Sequence, residues 1–396
     1  MHIGLAGPIL SKPLAPFLDG DPDRLPSGLG GTPVWQLVGD LVNRGQRVSV
    51  VTLDPSVGTP VTASGPLLDL VYGPYRPRHR MRDLMRVERH AVRDGVLRTR
   101  PDLVHAQWCG EYALGGLASG IPTLVTVHDW MPSILRLTKV RYSPYWLGRA
   151  LLYFTTLARA RHLTAVSPYI AEKVRHVSKA AIEVVPNAIP DAAFAQEGER
   201  AGRPAADGRP VIISVNSGFS PRKNVEALIA AHRALRQRRV ACELHLVGDG
   251  YVPGGPCERW ARRRRLAEGV TFLGPLPRDE VLLRIGEATL LVHPAREESF
   301  GMTLIEAMSQ RIPVIGGARS GAVPWVLGGG KAGLLVDVDD PRSIADAVAA
   351  VLTQPALRER LAGDGYLHAR KNFSQSRVTD QYLGAYRRVL AEEARR

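Results

Sequence analysis

Leu290-Leu291-Val292-His293-Pro294 followed by Ala295-Arg296-Glu297-Glu298-Ser299-Phe300-Gly301 and Met302-Thr303-Leu304-Ile305-Glu306-Ala307-Met308 reads as a strand, a short loop and a helix that starts near Gly301. The backbone N–H groups of a helix's first turn have no partner inside the helix, and the helix dipole adds positive character there. Such an end suits an anion, and a diphosphate in particular. Gly301 allows the backbone to approach an anion closely. Glu298 sits on the loop and Glu306 one to two turns into the helix. The two carboxylates can face one cleft yet lie too far apart to share a proton. That spacing suits hydrogen bonds to hydroxyl pairs at either end of a diphosphate-bridged ligand. A capping carboxylate and a solvated helix face explain it equally well.

The pattern around this stretch repeats. Short apolar runs alternate with helical periodicity, the signature of βαβ units. Strands are predicted at Met1–Ala6, Arg47–Leu53, Leu103–Ala106, Thr123–His128, His162–Val166 and Ile182–Val185. A second series runs through Val211–Val215, Glu243–Val247, Val270–Leu273, Leu290–His293, Pro313–Gly316 and Gly333–Val336. Between the series, 190–210 is rich in Ala, Gly, Pro, Asp and Arg and has no apolar period, so it reads as a linker. The expected fold is α/β, with two doubly wound Rossmann-like domains facing across a cleft. Residues 1–195 form an N-terminal domain and 196–372 a C-terminal domain. A final helix within 373–396 packs back on the first domain.

A length of 396 residues calls for more than one α/β core, and 45% hydrophobic with 23% charged residues is ordinary globular composition. No apolar run approaches the roughly 18 residues of a membrane span. The first residues lack a basic n-region and read as a strand, not a signal peptide, so a cytoplasmic chain is expected. Three cysteines without metal-ligand spacing exclude a disulfide framework and a zinc site. The net charge of +14 raises the question of a polyanion partner, but only seven of the 52 basic residues are Lys and aromatics are 6%, which argues against a nucleic-acid module.

With these residues in view, the chain resembles the family 4 retaining glycosyltransferases, which have the GT-B fold. Glu298 and Glu306, with Ser-Phe-Gly after the first, match that family's bipartite motif. Matches elsewhere keep the family's order. They are Gly30-Gly31, Thr126-Val127-His128-Asp129, Val185-Pro186-Asn187-Ala188, Gly218 to Asn224 with Pro221-Arg222-Lys223, and Leu246 to Gly250. The resemblance implies that Glu298 binds donor-sugar hydroxyls near the reacting carbon and that Glu306 accepts from the ribose hydroxyls. It further implies that the amides of Ser299, Phe300, Gly301, Met302 and Thr303 hold the diphosphate. Lys223, with Arg222, neutralises the departing phosphate, and His128 contacts the sugar. Gly30 and Gly31 let a loop close over the donor. Ser217 stands where relatives often carry an Arg, so one diphosphate partner is missing or supplied from elsewhere, Arg222 being the nearest candidate. Trp325 stands where many have an acid.

The resemblance implies an acceptor side for 1–195 and nucleotide-sugar binding for 196–372. It implies transfer of a hexose from a UDP- or GDP-type sugar, with retention and without a metal or other cofactor. A phosphate-dependent phosphorylase would use the same fold. A nicotinamide enzyme is excluded because Gly4, Gly7, Gly28, Gly30 and Gly31 do not space as Gly-x-Gly-x-x-Gly. Asp19-Gly20-Asp21-Pro22-Asp23 and Asp337-Val338-Asp339 look like metal-binding Asp-x-Asp, but neither has the context. His293 and His245 read as packed strand residues, and Arg262–Arg265 as a solvated face. Two features bear on the acceptor. Arg82, Arg86, Arg89 and Arg93 recur at helical spacing and suit peripheral contact with an anionic membrane and a lipid-linked or polysaccharide acceptor. Asp19, Asp21 and Asp23 suit a small, hydrophilic, amine-bearing natural-product acceptor instead, and the absence of an apolar insertion segment favours this reading.

Overall fold

The computed structural model describes residues 1–137, 143–194 and 208–396, so the expected linker is seen only at its ends. The chain forms two compact units, Met1–Ala188 with Gln375–Arg396, and Ile189–Ser374.

The first unit is built on β1 (His2–Ala6), β2 (Arg47–Asp54), β3 (Val61–Ser64), β4 (Leu68–Pro74), β5 (Leu103–Gln107), β6 (Thr123–Val127), β7 (His162–Ala165) and β8 (Ala181–Val184). Their order in the sheet is β3-β4-β2-β1-β5-β6-β7-β8, parallel throughout except for the antiparallel β3–β4 pair. Ile3 to Ala6 of β1 are all buried, as a central parallel strand covered on both faces requires. The β3–β4 hairpin is an addition to the expected strands. Pro60 and the Gly65-Pro66 turn interrupt its pattern, and three of the four β3 residues face solvent at the sheet edge.

The second unit carries β9 (Val211–Val215), β10 (Glu243–Val247), β11 (Val270–Gly274), β12 (Leu290–His293), β13 (Val314–Gly317) and β14 (Leu334–Val336) in the order β11-β10-β9-β12-β13-β14, wholly parallel. The winding reverses between β9 and β12 here and between β1 and β5 in the first unit. At such a reversal, the loops leaving the carboxyl ends of the two strands diverge and open a crevice. The residues that follow β9 and β12 therefore share one crevice, and those that follow β1 and β5 share the other.

Helix Gln375–Glu393 belongs to the first unit and completes its core. Val378, Tyr382, Ala385, Tyr386 and Val389 pack in one cluster with Ile3, Val34, Leu37 and Leu124. Among the described residues, no helix is long and apolar enough to cross a membrane.

The arginine stripe is not one helical face. Arg82 lies in a 3₁₀ turn, Arg80–Asp83, and the α-helix that carries Arg86, Arg89 and Arg93 begins only at Arg86. Leu84 and Met85 between them are left-handed, with φ of 52° and 57°. The cause is Arg76. Its guanidinium holds Asp83 with two bonds of 2.8 and 3.0 Å and buried Glu88 at 2.7 Å, while Asp83 Oδ1 accepts from the Arg86 amide at 3.3 Å and starts the helix there. Asp83 and Glu88 are thus bound to one arginine, and Asp94 is bound to Arg93.

Tyr386→Ala should destabilise the first unit by about 3–5 kcal/mol, since it removes a fully buried aromatic ring. Leu367→Ala, on a side chain 62% exposed, should change stability by less than about 0.5 kcal/mol. Urea titration followed by tryptophan fluorescence measures both, and comparable losses would contradict this account of the core.

Candidate active site

In the second unit, the loop after β9 supplies a cation and the loop after β12 supplies an anion. Lys223 Nζ lies 2.8 Å from Glu298 Oε2, and His293 Nε2, at the end of β12, lies 3.2 Å from the same oxygen. The two loops are tied by backbone and side chain. The Arg296 amide donates to the Arg222 carbonyl at 2.9 Å. The Asn224 side-chain amide donates to the carbonyls of Pro294 and Val338 at 3.1 and 2.7 Å. The Glu298 carbonyl accepts from the Ala322 amide at 2.9 Å. Lys223 and His293 are buried and Glu298 is nearly so, which places the Lys223–Glu298 ion pair where solvent screening is weak. Burial alone would push the Glu298 carboxyl up. The Lys223 ammonium and the hydrogen bond from His293 outweigh it and hold the group well below the usual carboxylate range.

Gly301 precedes helix Met302–Ser309 with φ of 97°, a conformation that a side chain resists; a Cβ there would also lie 2.7 Å from Leu304 Cδ1. The helix's first-turn amides, including those of Met302 and Thr303, point out of its N-terminus beside this triad. The Phe300 ring packs against Trp325 and Phe373, with centroids 6.2 and 5.6 Å away, so it belongs to the core and offers a ligand only its backbone. Glu306 is buried on the same helix and is paired with Arg278 at 2.8 Å. Burial pushes its carboxyl up, against the opposing pull of Arg278. Arg222 lies 3.5 Å from Glu297, and the Ser217 hydroxyl donates to Asp249 at 3.0 Å. An arginine in place of Ser217 would therefore meet the Asp249 carboxylate first.

In the first unit, the connection after β1 carries Gly30 and Gly31, Gln107 ends β5 and His128 follows β6. Gly31 has φ of 78°, and a Cβ on it would sit 1.9 Å from the Pro8 carbonyl oxygen, so only glycine fits at the start of helix Thr32–Asn43. Gly30, with φ of 100°, has open space where its Cβ would be. His128 stacks on Trp108 at 3.9 Å and donates from Nε2 to the Gln107 side-chain oxygen Oε1 at 2.6 Å. The Gln107 amide nitrogen donates to His105 Nε2 at 3.0 Å, and His105 Nδ1 bonds the Tyr386 hydroxyl at 2.7 Å. This chain of bonds fixes the proton of His128 on Nε2 and leaves Nδ1 as an acceptor. Asp19, Asp21 and Asp23 are exposed, and Asp21 is held by the Asp23 amide at 3.0 Å and by Arg24 at 3.5 Å.

The structure thus brings Glu298, Lys223 and the Met302 helix terminus together in one unit, and carries Gly30, Gly31 and His128 in the other. His293, read from sequence as a packed strand residue, is a partner of Glu298. Arg278 and Gln107 carry no sequence signal of their own. His293 had one, since a histidine that ends a strand leading into Glu298 lies at the mouth of the crevice.

Burial pushes His128 down to about 3 and, with a smaller repulsion from His128, pushes His105 down to about 3. Both imidazoles gain a proton on unfolding whenever the pH lies below the ordinary value of about 6.5. The stability tied to their neutral forms is complete above pH 6.5 and is lost as the pH falls from there towards 3, by up to about 1.4 kcal/mol per pH unit for each histidine. The melting temperature should fall between about pH 6.5 and 4.5, and His105→Gln should make that fall shallower. An unchanged slope in the variant would show that His105 is not the group that titrates.

The family model for Glycosyltransferase Family 4 matches residues 30–193, and that for Glycosyl transferases group 1 matches residues 195–368. The chain is 30% identical over 220 residues to the alpha-D-kanosaminyltransferase of Streptomyces kanamyceticus, a match that spans 55% of each chain. It is 28% identical over 400 residues to the D-inositol 3-phosphate glycosyltransferase of Saccharomonospora viridis, across 91% of this chain and 90% of that one. Among solved structures, sucrose-phosphate synthase from Thermosynechococcus elongatus superposes with a TM-score of 0.77 at 21% identity, covering 99% of both chains. Two consecutive family models that together span most of the chain, two parallel doubly wound sheets and a GT-B structural neighbour agree: the chain is a glycosyltransferase of family 4 with the GT-B fold.

Proposed function

We propose that this glycosyltransferase moves a hexose, with retention, from a UDP- or GDP-type sugar to a small, hydrophilic, amine-bearing acceptor. The observation that carries the reading is the Lys223–Glu298–His293 triad beside the N-terminus of helix Met302–Ser309. A diphosphate seated on that terminus would share the Lys223 ammonium with Glu298. As the glycosidic bond breaks, negative charge grows on the leaving phosphate, and the attraction of Lys223 and Arg222 grows with it. Glu306 accepts from the ribose, and Glu298 accepts from the hydroxyls of the donor sugar. Ser217, hydrogen-bonded to Asp249, contributes at most a neutral bond to the phosphate.

Glu298 is a weak base, because Lys223 and His293 hold it ionised. The acceptor's hydroxyl proton therefore passes to the departing phosphate as the new C–O bond forms on the face that the phosphate leaves. That route gives retention and needs neither a carboxylate nucleophile nor a metal, since the cationic side chains carry the charge. In the first unit, the Nδ1 lone pair of His128 is set to accept from a sugar hydroxyl, and Gly30 and Gly31 give the backbone close approach. Asp19, Asp21 and Asp23 offer exposed carboxylates to a cationic acceptor. Names among the relatives that include a kanosaminyltransferase and an inositol phosphate glycosyltransferase support a small polar acceptor or donor.

The test is transfer from UDP- and GDP-hexoses to soluble aminocyclitols, with the anomeric configuration of the product read by NMR. Glu298→Gln should lower kcat by roughly 10²–10³, equivalent to about 3–4 kcal/mol, measured at a temperature where circular dichroism shows the variant still folded. Turnover near that of the wild type in this variant, or an inverted product, would overturn the assignment.

A further inference from the structure

Glu306 lies deep in the second unit, yet among the described residues Arg278 reaches it. Arg278, the first residue of helix Arg278–Glu287, places Nη1 2.8 Å from Glu306 Oε1 and keeps about a third of its own side chain exposed. It arrives on a short turn, Gly274-Pro275-Leu276-Pro277, that leaves β11, the strand at the sheet edge farthest from β14. The elements packed against the Glu306 helix are helix Arg278–Glu287, helix Pro355–Phe373, β12 and β13. Of their charged groups only Arg278 acts on Glu306. Arg284 is bound to Glu280 and Glu287, Asp364 to Arg360, and His293 to Glu298, while β13 carries no charge.

A carboxylate that must accept from two vicinal hydroxyls works only while ionised, since a carboxylic acid gives up an acceptor site to its own proton. Burial opposes ionisation, and a cation at hydrogen-bond distance offsets part of that opposition. We propose that Arg278 is a positioning residue of the donor site, which holds the Glu306 carboxylate ionised and oriented so that it can accept from the vicinal hydroxyls of a nucleotide ribose. The inference rests on the assignment of Glu306 to the ribose under the proposed function. Arg278 itself touches no reacting atom. It makes nucleotide affinity insensitive to pH across the neutral range. Without it, burial alone governs Glu306, and affinity falls as the pH falls because the protonated form is the poorer acceptor.

Calorimetric binding of UDP and GDP, each with its 2′,3′-dideoxy analogue, at pH 6, 7 and 8 tests this on the full-length wild type, Arg278→Met and Arg278→Lys. The ratio of variant to wild-type Kd removes the nucleotide's own titration. For Arg278→Met that ratio should be roughly tenfold or more and should widen towards pH 6. Arg278→Lys should restore most of the affinity and a flat ratio, and the dideoxy analogues should show no Arg278→Met penalty. A Met/wild-type ratio that is constant with pH, or equal for ribose and dideoxyribose, would overturn the role of Arg278 while leaving the donor site in place. Failure of the wild type to bind either nucleotide would overturn the donor-site assignment and the inference together. Thermal melts of the three proteins separate loss of binding from loss of fold.

Discussion

A buried ammonium 2.8 Å from a buried carboxylate, Lys223 on Glu298, is the contact on which the rest of the site depends. Neither charge is stable alone in that environment. Removing one partner of such a pair leaves an uncompensated buried charge and costs on the order of 3–5 kcal/mol. The pair therefore persists in the absence of ligand, and His293 supplies the second bond that keeps Glu298 aimed. The arrangement stores a cation at the mouth of the crevice without exposing it to water. Under the proposed function, an incoming diphosphate would meet a preorganised charge with little hydration to displace, the condition under which electrostatic stabilisation of a leaving group is greatest.

Topology brings this pair together. Lys223 follows β9 and Glu298 follows β12, and these strands are hydrogen-bonded neighbours on either side of the winding reversal, although 75 residues separate the two side chains in sequence. In the first unit the loop with Gly30 and Gly31 follows β1, and the Gln107 partner of His128 ends β5, again on either side of a reversal. The same construction thus appears twice in the chain. In each unit a glycine with positive φ lets a helix begin close to the crevice, Gly31 in one and Gly301 in the other. The support differs. The second unit uses charges, whereas the first uses a neutral relay from His128 through Gln107 and His105 to Tyr386 on the final helix.

Much of this was legible in the sequence, for a physical reason. Central parallel strands are buried on both faces, so Ile3–Ala6, Val211–Val215 and Leu290–His293 appear as nearly continuous apolar runs, and glycines, acids and bases gather where those runs end. What stayed hidden depends on contacts between residues distant in sequence. His293 has the pattern of a core residue until Glu298 folds back five residues later to meet it. Arg278 looks like an ordinary first-turn residue, and only the packing of its helix onto that of Glu306 shows its role. The arginine stripe of 82–93 suggested one helix because spacing records periodicity alone. The grip of Arg76 on Asp83 and Glu88, which breaks that helix at its start, has no periodic signature. The β3–β4 hairpin was hidden by its exposed edge strand and the Pro and Gly residues around it.

The central claim is that the cation of Lys223 serves a diphosphate and that Glu298 holds it there until one arrives. Calorimetric titration of the double variant Lys223→Met/Glu298→Gln, which removes both buried charges at once, with UDP, GDP and the matching free nucleosides tests it most directly. The account predicts that the double variant binds the diphosphates at least roughly tenfold more weakly than the wild type, equivalent to about 1.4 kcal/mol or more, while nucleoside affinity is unchanged. Equal diphosphate affinity in the two proteins, or a loss shared by diphosphate and nucleoside alike, would contradict it.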